Sequence, residues 1–333
     1  MQKKALLALT GAGVAVMLML ASAPAQADPT GTPTYRALVG VGSDTTQGVM
    51  NGLSEVVVST DGNATKLIGS YDAVPQGSTI TTKDPASGAA CTLTRPSGSG
   101  AGVTALVNSI AAGNGCIQFA RSSSNNSASY AGKNLTYIPF ATDVVAYAVR
   151  SDSTISKKLT KAQLTAIYNC AGGANYKPLL PQFGSGTRSY FLGQLGFTDA
   201  ANFTSTPNHT CIVQVDATGT PIEENVGTLL TDPKHIVPYS VGPYLSQINA
   251  VVPDVHGKAI LGQIDGIAPL VSNVGSTLVR TVYNVVPTAQ LGDPVYANVF
   301  VGPTSQICTN SAVIVKYGFG LNTNCGNTSL TTP

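Results

Sequence analysis

Charged side chains are scarce in this chain of 333 residues: Asp, Glu, Lys and Arg together make up 10% of it. No cluster of basic residues occurs, and broad electrostatic capture of nucleic acid needs such clusters, so we exclude nucleic acid as a partner. Once Lys3 and Lys4 of the N-terminal leader are set aside, 16 basic residues balance 16 acidic ones. Most of the polarity comes from Ser, Thr, Asn and Gly, which is typical of a neutral, secreted surface.

The motifs of common metal centres and hydrolases are also missing. The sequence has no Cys-x-x-Cys pair, and His209, His235 and His256 show no ligand spacing, which disfavours a metal site. It has no G-x-S-x-G elbow, and no histidine accompanies a serine motif as a general base. The sequence therefore implies no metal and no other cofactor, and it predicts a binding protein rather than an enzyme. A secreted phosphatase is the enzymatic alternative.

Long apolar runs are confined to the first 27 residues. Lys3 and Lys4 form a positive start, residues 5–20 are apolar, and Ala25-Gln26-Ala27 is a small-residue cleavage site. This pattern predicts a secretory signal peptide, residues 1–27, that is cleaved after Ala27. A membrane anchor is the alternative, but the apolar stretch is short and ends in Ser, Pro and Gln.

No cysteine stands at the predicted cleavage site, since the first one is Cys91. We therefore expect no lipid anchor and a product that is secreted or held at the cell envelope. Six cysteines, all after the leader, fit an oxidising compartment and allow 15 pairings. We favour the three pairs that are adjacent in sequence: Cys91–Cys116, Cys170–Cys211 and Cys308–Cys325.

The 306 residues after the leader alternate between strand-like and helix-like segments, which predicts an α/β fold with parallel or mixed sheets. This length also suggests two lobes. The predicted strands are residues 37–41, 117–120, 134–140, 144–149, 236–239, 276–286 and 297–300. The predicted helices are residues 46–58, 103–112, 160–169, 189–195, 223–231, 241–249 and 304–317. We expect residues 63–102 to form a surface loop.

Four short loops rich in Gly, Ser and Thr are the strongest functional signal. We call them the first to fourth loops: residues 42–46 (GSDTT), 98–102 (GSGAG), 120–124 (ARSSS) and 184–188 (GSGTR). At least three of them lead into a segment with helical character. The start of a helix presents free N–H groups and favours negative charge. Several such loops in one chain predict a single small oxyanion held by neutral donors and one or two arginines.

These loops and the segments around them occur in an order that resembles a known family. The segments are residues 40–46, 98–103, 117–123, 138–140, 184–187, 225–227 and 236–240. The chain resembles the phosphate-binding proteins of bacterial phosphate ABC importers, within the type II periplasmic-binding-protein superfamily, and especially their secreted actinobacterial members. The resemblance covers nearly all of the chain after the leader.

The resemblance implies two α/β lobes joined by crossover strands, with the ligand in the cleft between them. Lobe I would comprise residues 28–140 plus 251–333, and lobe II residues 141–250. The implied function is capture of inorganic phosphate for ABC-type import or for scavenging, by a monomer that has an ABC permease as its partner. The implied ligand-binding residues are Ser43, Asp44, Thr45, Ser99, Arg121, Ser122, Ser123, Ser185, Gly186, Thr187 and Arg188.

Two positions depart from the family pattern. Ser123 stands where the family usually has an aspartate that accepts the phosphate proton, and Pro181 replaces an arginine before the fourth loop. We predict that Arg121 or Arg188 supplies the missing charge and that Asp44 accepts the proton. Sulfate has no proton to offer near pH 7, so Asp44 would repel it.

Because these departures alter the selectivity positions, the alternative ligand is another oxyanion or a small phosphorylated metabolite. A protein that kept the fold and lost the ligand is a further alternative. Asp44 alternatively caps the helix that follows it, and Ser185 alternatively acts only as an N-cap. We interpret Glu223 and Glu224 as acids in the first turn of a helix, where they are expected for structural reasons.

Overall fold

The computed structural model of the chain describes residues 28–88, 90–269 and 278–333. The predicted signal peptide lies outside the described residues, as does the beginning of the strand predicted at 276–286. In the described ranges, no helix is both long enough and apolar enough to cross a membrane.

The described residues form eight α-helices and thirteen β-strands. The helices are α1 Gln47–Ser54, α2 Ser99–Ala112, α3 Lys161–Tyr168, α4 Gly186–Gln194, α5 Val241–Ile248, α6 Pro294–Phe300, α7 Gln306–Thr309 and α8 Ser311–Lys316. The strands are β1 Leu38–Gly42, β2 Ile68–Ser70, β3 Thr79–Thr81, β4 Thr92–Thr94, β5 Phe119–Ser122, β6 Leu135–Arg150, β7 Lys158–Leu159, β8 Lys177–Pro178, β9 His235–Ser240, β10 Ala259–Leu261, β11 Gln263–Ile264, β12 Val279–Pro287 and β13 Gly320–Leu321.

Nine of these strands form one mixed sheet in the order β2-β1-β5-β12-β6-β9-β8, with β10 and β13 also paired to β6. Strands β2, β1 and β5 are parallel to one another, as are β8 and β9. Strand β12 runs antiparallel to both β5 and β6, and β9 runs antiparallel to β6. The predicted α/β class with a mixed sheet is therefore confirmed.

Strand β6 is the common element of the sheet. The sequence predicted two strands, 134–140 and 144–149, joined by residues 141–143, but one strand of 16 residues, Leu135–Arg150, runs through that junction. The break does not occur, and Asp143, the charged residue at this point, is paired with Arg280 of β12 inside the sheet. Within the described pairing of β6 with β12, the register shifts between Val282 and Tyr283 of β12.

Strand β6 contributes to separate hydrophobic cores on either side of its midpoint. Phe140 packs in a core with Met50 of α1 and Phe300 of α6. Tyr147 packs in another core with Phe191 of α4. The two halves of the sheet therefore each carry apolar side chains that their own helices cover, and β6 and β12 pass between them.

The segment after residue 250 pairs differently from expectation. Strand β10 pairs with the C-terminal end of β6, and β11 pairs with β7. The sequence had placed these residues with lobe I, yet their strand partners lie in the part of the chain that it assigned to lobe II. The chain thus stays with the second half of the sheet well beyond residue 250.

Two predicted elements have the wrong type. Residues 223–231 form no helix apart from one 3-10 turn at Gly227–Leu229. Residues 297–300 belong to helix α6, not to a strand, because Asp293 accepts hydrogen bonds from two backbone N–H groups and Pro294 occupies the first turn. These helix-start signals outweigh the strand propensity of the β-branched residues in the segment.

Other predictions differ at the boundaries. Helices α2 and α4 begin several residues earlier than predicted, so their first turns lie inside the second and fourth loops. The predicted helix at 304–317 is divided into α7 and α8. Residues 63–102, predicted to be a surface loop, contain β2, β3 and β4.

All three predicted disulfides are present: Cys91–Cys116, Cys170–Cys211 and Cys308–Cys325. No cysteine of the described chain is free. Each bond closes a short stretch of sequence, which agrees with pairing between neighbours along the chain.

The first and second loops touch each other through their backbones. A Cβ atom on Gly102 of α2 would lie 2.5 Å from the Cα of Gly42 and 2.9 Å from the carbonyl oxygen of Val41. Gly42 itself has a φ of +118°, which L side chains rarely adopt. Helix α2 can therefore approach the end of β1 only because both positions are glycine.

We predict opposite effects on stability for two Gly→Ala substitutions in helices, one at this contact and one away from it. Gly102→Ala should lower the free energy of unfolding by about 1–3 kcal/mol, because its methyl group meets backbone that cannot move aside easily. Gly193→Ala, at an exposed site in α4 with no atom within 4 Å, should raise it by about 0.5–1 kcal/mol. Guanidinium denaturation measures both; equal stability of Gly102→Ala and the wild type would contradict the backbone contact.

Candidate functional site

The four predicted loops meet at one place, where the ends of the strands face the start of α4. The backbone N–H of Gly100 in the second loop donates to the carbonyl oxygen of Gly184 in the fourth, at 3.0 Å. The hydroxyls of Thr45 and Thr187 lie 3.3 Å apart. The first and second loops are thus both in direct contact with the fourth, which is far from them along the chain, and the cleft between them is closed.

Three serine hydroxyls crowd the first residue of α4. Ser123 donates its backbone N–H to the Ser99 hydroxyl at 3.0 Å, and the two hydroxyl oxygens are 3.2 Å apart. A Cβ on Gly186 would lie within 2.4 Å of the Ser123 oxygen, 2.5 Å of the Ser99 oxygen and 3.1 Å of the Ser124 oxygen. Only glycine at position 186 lets these hydroxyls approach the helix start.

A carboxylate of the chain itself already occupies part of this donor set. The Thr45 hydroxyl donates to one oxygen of Glu224 at 3.0 Å, and the Ser185 hydroxyl donates to the other at 3.1 Å. Glu224 is fully buried. The donors that the sequence predicted for an external oxyanion therefore hold an internal one.

Ser185 combines this contact with a structural role. It is the N-cap of α4, and its hydroxyl oxygen accepts the backbone N–H of Arg188 at 3.1 Å. Asp44, by contrast, does not cap α1 through its side chain, because Thr46 is the N-cap and makes no side-chain capping bond. Of the two capping alternatives, the structure shows the one at Ser185.

Three acidic side chains share the centre of the site. Oxygen atoms of Asp44, Glu223 and Glu224 all lie within 4.8 Å of one another. Burial, together with the charges of Glu224 and Glu223, raises the pKa of Asp44 well above its ordinary value. Burial and the charge of Glu224 raise the pKa of Glu223 to about 7. The cluster therefore retains a proton near neutral pH.

Hard cations such as Ca²⁺ prefer oxygen ligands, so these three carboxylates are the residues that would hold a metal. The sequence had considered only Cys and His ligands. However, both oxygens of Glu224 accept hydroxyl hydrogens, and a buried arginine stands next to Thr45. Hydroxyl and guanidinium donors suit an anion, so the donor chemistry around the cluster disfavours a cation.

That arginine is Arg280 of β12, which the sequence analysis did not select. Its Nε and Nη2 donate to one oxygen of Asp143 at 2.9 and 2.7 Å, and Nη2 lies 3.4 Å from the Thr45 hydroxyl. Its Nη1 is buried without a hydrogen-bond partner among the described residues. Arg280 therefore reaches the first loop through Nη2 and keeps one buried nitrogen without a partner among the described residues.

The two arginines that the sequence selected serve the fold instead. Arg121 donates to the carbonyl oxygens of Ser43, Gly40 and Tyr71 and to the Ser70 hydroxyl, and burial lowers its pKa to about 10. It binds β1 to the residues around β2. Four of its five N–H groups are engaged, so its predicted role as a ligand of the anion conflicts with its geometry.

Arg188, like Arg121, donates to other parts of the chain. Its guanidinium contacts Asp199 at 2.8 Å, the Pro181 carbonyl at 3.2 Å and the Ala200 carbonyl at 3.0 Å, and it also bonds to Gln214. It ties the start of α4 to the segment after that helix. Most donors of both predicted arginines are therefore engaged with other parts of the chain.

The remaining predicted residues divide into two groups. The Ser122 hydroxyl donates to the Ser124 carbonyl at 2.8 Å, which stabilises its own turn. Ser43 is fully buried, and its hydroxyl has no hydrogen-bond partner among the described residues. The side chains that the structure brings to the closed cleft are those of Asp44, Thr45, Ser99, Ser123, Ser185 and Thr187, together with the backbone of Gly186.

Sequence reasoning missed Glu223, Glu224, Asp143 and Arg280. Glu223 and Glu224 were interpreted as first-turn acids of a helix that does not exist. A signal was available for them, because two adjacent acids are notable in a chain with only 16 acidic residues. No comparable signal marked Asp143 and Arg280, since their pairing depends on the register of β6 and β12.

A cavity of ≈ 220 Å³ lies beside the cluster. Asp44 and Thr45 line it on one side, Asn225 and Val226 on another, and apolar side chains such as Phe319 complete it. The site therefore borders a space large enough for a small organic group.

The raised pKa of Glu223 predicts how stability depends on pH. A carboxyl with a raised folded-state pKa binds its proton more tightly when folded, so stability falls as pH rises from the unfolded value toward the folded one. We expect the free energy of unfolding to fall between about pH 5 and pH 8, and Glu223→Gln to reduce this loss. Denaturant titrations across this range measure it.

The matched control is Asp61→Asn, because Asp61 is exposed and hydrogen bonds from Ser59 lower its pKa. This substitution should leave the slope between pH 5 and pH 8 unchanged. Parallel stability profiles for the wild type and Glu223→Gln would contradict the burial of an ionisable Glu223.

Comparisons with solved structures agree with this architecture. A protein described as a phosphate ABC transporter substrate-binding protein of Clostridium perfringens, with bound phosphate, is 17% identical with a TM-score of 0.57; the match covers 86% of this chain and 99% of that one. An ABC-type phosphate transport receptor of Vibrio cholerae is 17% identical with a TM-score of 0.52, over 86% and 100%. A DING protein is 14% identical with a TM-score of 0.53, over 89% and 96%.

At these identities the solved structures show a shared fold and nothing more specific. The search of curated protein sequences finds no match. A family model, described as a PBP superfamily domain, matches residues 27–306. The predicted type II periplasmic-binding-protein fold is confirmed, and the chain belongs to the PBP superfamily.

Proposed function

We propose that this protein is an extracytoplasmic solute-binding protein that captures inorganic phosphate in the closed cleft, for ABC-type import or for scavenging. It acts by binding, without chemistry on the ligand. One observation carries the proposal: hydroxyls from the first and fourth loops converge on the two oxygens of a carboxylate, Glu224. This donor set is built for an oxyanion, and solved proteins of the same fold are described as phosphate-binding.

The donors have separate roles in this proposal. Thr45, Ser185 and Thr187 donate their hydroxyl hydrogens, and the first turn of α4 adds backbone N–H groups. The free Nη1 of Arg280 supplies positive charge. Asp44, with its raised pKa and an unpartnered carboxyl oxygen, shares one proton with the ligand, whereas sulfate cannot contribute that proton.

The two-lobe division is part of the proposal, with revised limits. Lobe I comprises residues 28–143 and 279–333, and lobe II comprises residues 144–269. The pairing of β10 with β6 and of β11 with β7 supports the later limit of lobe II. Binding and release involve hinge motion at the two places where the chain passes between the lobes, within β6 and at the start of β12.

The cellular setting follows from the covalent structure. Three disulfides among the described residues suit an oxidising compartment, and the leader pattern at residues 1–27 suits export with cleavage after Ala27. We propose a released or envelope-held monomer that delivers its ligand to an ABC permease.

A small phosphorylated metabolite is the second candidate ligand. The ≈ 220 Å³ cavity favours it, because Asp44 and Thr45 belong both to the oxyanion site and to the cavity wall. A phosphoryl group held by the loops leaves room there for an organic group of a few atoms.

Titration calorimetry tests the function directly. We expect phosphate and arsenate to bind with a dissociation constant of about 1 μM or tighter, corresponding to roughly −8 kcal/mol, and sulfate to give no heat. Small phosphomonoesters that bind more tightly than phosphate would support the second candidate. The absence of heat with every one of these anions would overturn the proposal.

Arg280→Lys tests the assignment of the positive charge. Lysine keeps a cation beside Asp143 but loses the fork that presents Nη1, so phosphate affinity should fall about 10- to 100-fold. Arg150→Lys, the same change at a partly buried arginine that pairs with Asp152, is the matched control and should leave affinity unaltered. Unchanged affinity in Arg280→Lys would remove Arg280 from the site.

A further inference from the structure

We propose that Glu224 is an intramolecular ligand of the cleft, which an incoming oxyanion must displace from Thr45 and Ser185. This inference rests on the proposed function, since it concerns regulation of affinity at the same site. It gives the site a built-in competitor of the same chemical class as its ligand, an oxygen anion.

The competition follows from the number of protons available. A Ser or Thr hydroxyl has one hydrogen to donate. The hydrogen of Thr45 is directed to one oxygen of Glu224 and that of Ser185 to the other, at 3.0 and 3.1 Å. Neither hydroxyl can donate to Glu224 and to a bound anion at once, so the two states exclude each other.

Electrostatics also prevents simultaneous occupation. Glu224 lies within 4.8 Å of the oxygens of Asp44 and Glu223. Adding a phosphate to these three carboxylates in a buried space would bring like charges into close contact with little screening. Departure of the Glu224 carboxylate removes one of these charges as the ligand arrives.

The side chain, not the backbone, is the element that moves. The Glu224 carbonyl oxygen accepts the N–H of Ser240 at 3.1 Å, and the next carbonyl, that of Asn225, accepts the side-chain amide of Gln247 at 2.7 Å. These bonds hold the main chain in place. The ≈ 220 Å³ cavity lined by Thr45 and Asn225 offers adjacent space for the displaced carboxylate.

Competition from Glu224 lowers the apparent affinity for phosphate. The reduction depends on the fraction of molecules in which Thr45 and Ser185 are free to bind. If Glu224 occupies its donors in about 90–99% of molecules, phosphate binds about 10- to 100-fold more weakly than the donor set alone allows. A weak oxyanion then fails to displace Glu224, whereas a ligand that also engages Arg280 and Asp44 succeeds. Glu224 thus selects against weak anions.

Calorimetry with phosphate at pH 6 compares Glu224→Ala with Glu55→Ala. Glu224→Ala should tighten binding about 10- to 100-fold. Glu55→Ala is the matched control, because it removes an exposed glutamate that pairs with Arg36 and Lys66 outside the cluster, and it should change affinity less than about threefold. Equal tightening in both variants, or none in Glu224→Ala, would overturn the inference.

A second measurement does not depend on phosphate as the ligand. Glu224→Ala frees two hydroxyls that fit a carboxylate, so formate should bind it at millimolar concentration in an NMR titration, while the wild type and Glu55→Ala show no site. Formate binding without any phosphate binding would overturn the proposed function and leave this inference standing. The absence of formate binding to Glu224→Ala would overturn the inference itself.

Glu224→Gln provides an additional variant in case the alanine variant folds poorly. Its side chain keeps the shape and one acceptor oxygen but loses the negative charge, so it should compete less well for Thr45 and Ser185. Phosphate affinity between those of the wild type and Glu224→Ala is expected. Affinity equal to that of the wild type would contradict displacement of a charged ligand.

Discussion

The buried ion pair between Asp143 and Arg280 is the interaction on which the rest of this structure depends. It joins β6 to β12, and the Asp143 carboxylate also accepts the Ser240 hydroxyl at 2.8 Å and the Gly242 N–H at 3.0 Å. One carboxylate thereby fixes the two crossing strands, the end of β9 and the start of α5. Removing one partner of such a pair costs about 3–5 kcal/mol, since the other charge stays buried.

The same pair explains why the site differs from a simple basic pocket. Arg280 reaches Thr45 because Asp143 holds its guanidinium in place, while Arg121 and Arg188 use their donors to connect backbone segments. The cleft therefore combines one guanidinium with several neutral donors and three acids. Such a site can accept an anion only if protons are shared and an internal carboxylate gives way.

Much of the fold was predictable from the sequence alone. The alternation of strands and helices, the four loops and the three disulfides depend on local patterns that survive in the folded chain. Errors arose where tertiary contacts outweigh local preference. Residues 135–150 form one strand because Asp143 is paired across it, and residues 297–300 are helical because Asp293 and Pro294 start a helix there.

The sequence by itself determined which donors the site has: the hydroxyls and glycines of the four loops lie together because each follows a strand or starts a helix at the same edge of the sheet. Only the tertiary structure decided which charges accompany them. Glu224 and Arg280 are far from Thr45 along the chain, and strand register and loop packing bring them within hydrogen-bond distance. Charge pairing over such separations leaves no local pattern, which is why sequence reasoning did not select Glu224 and Arg280.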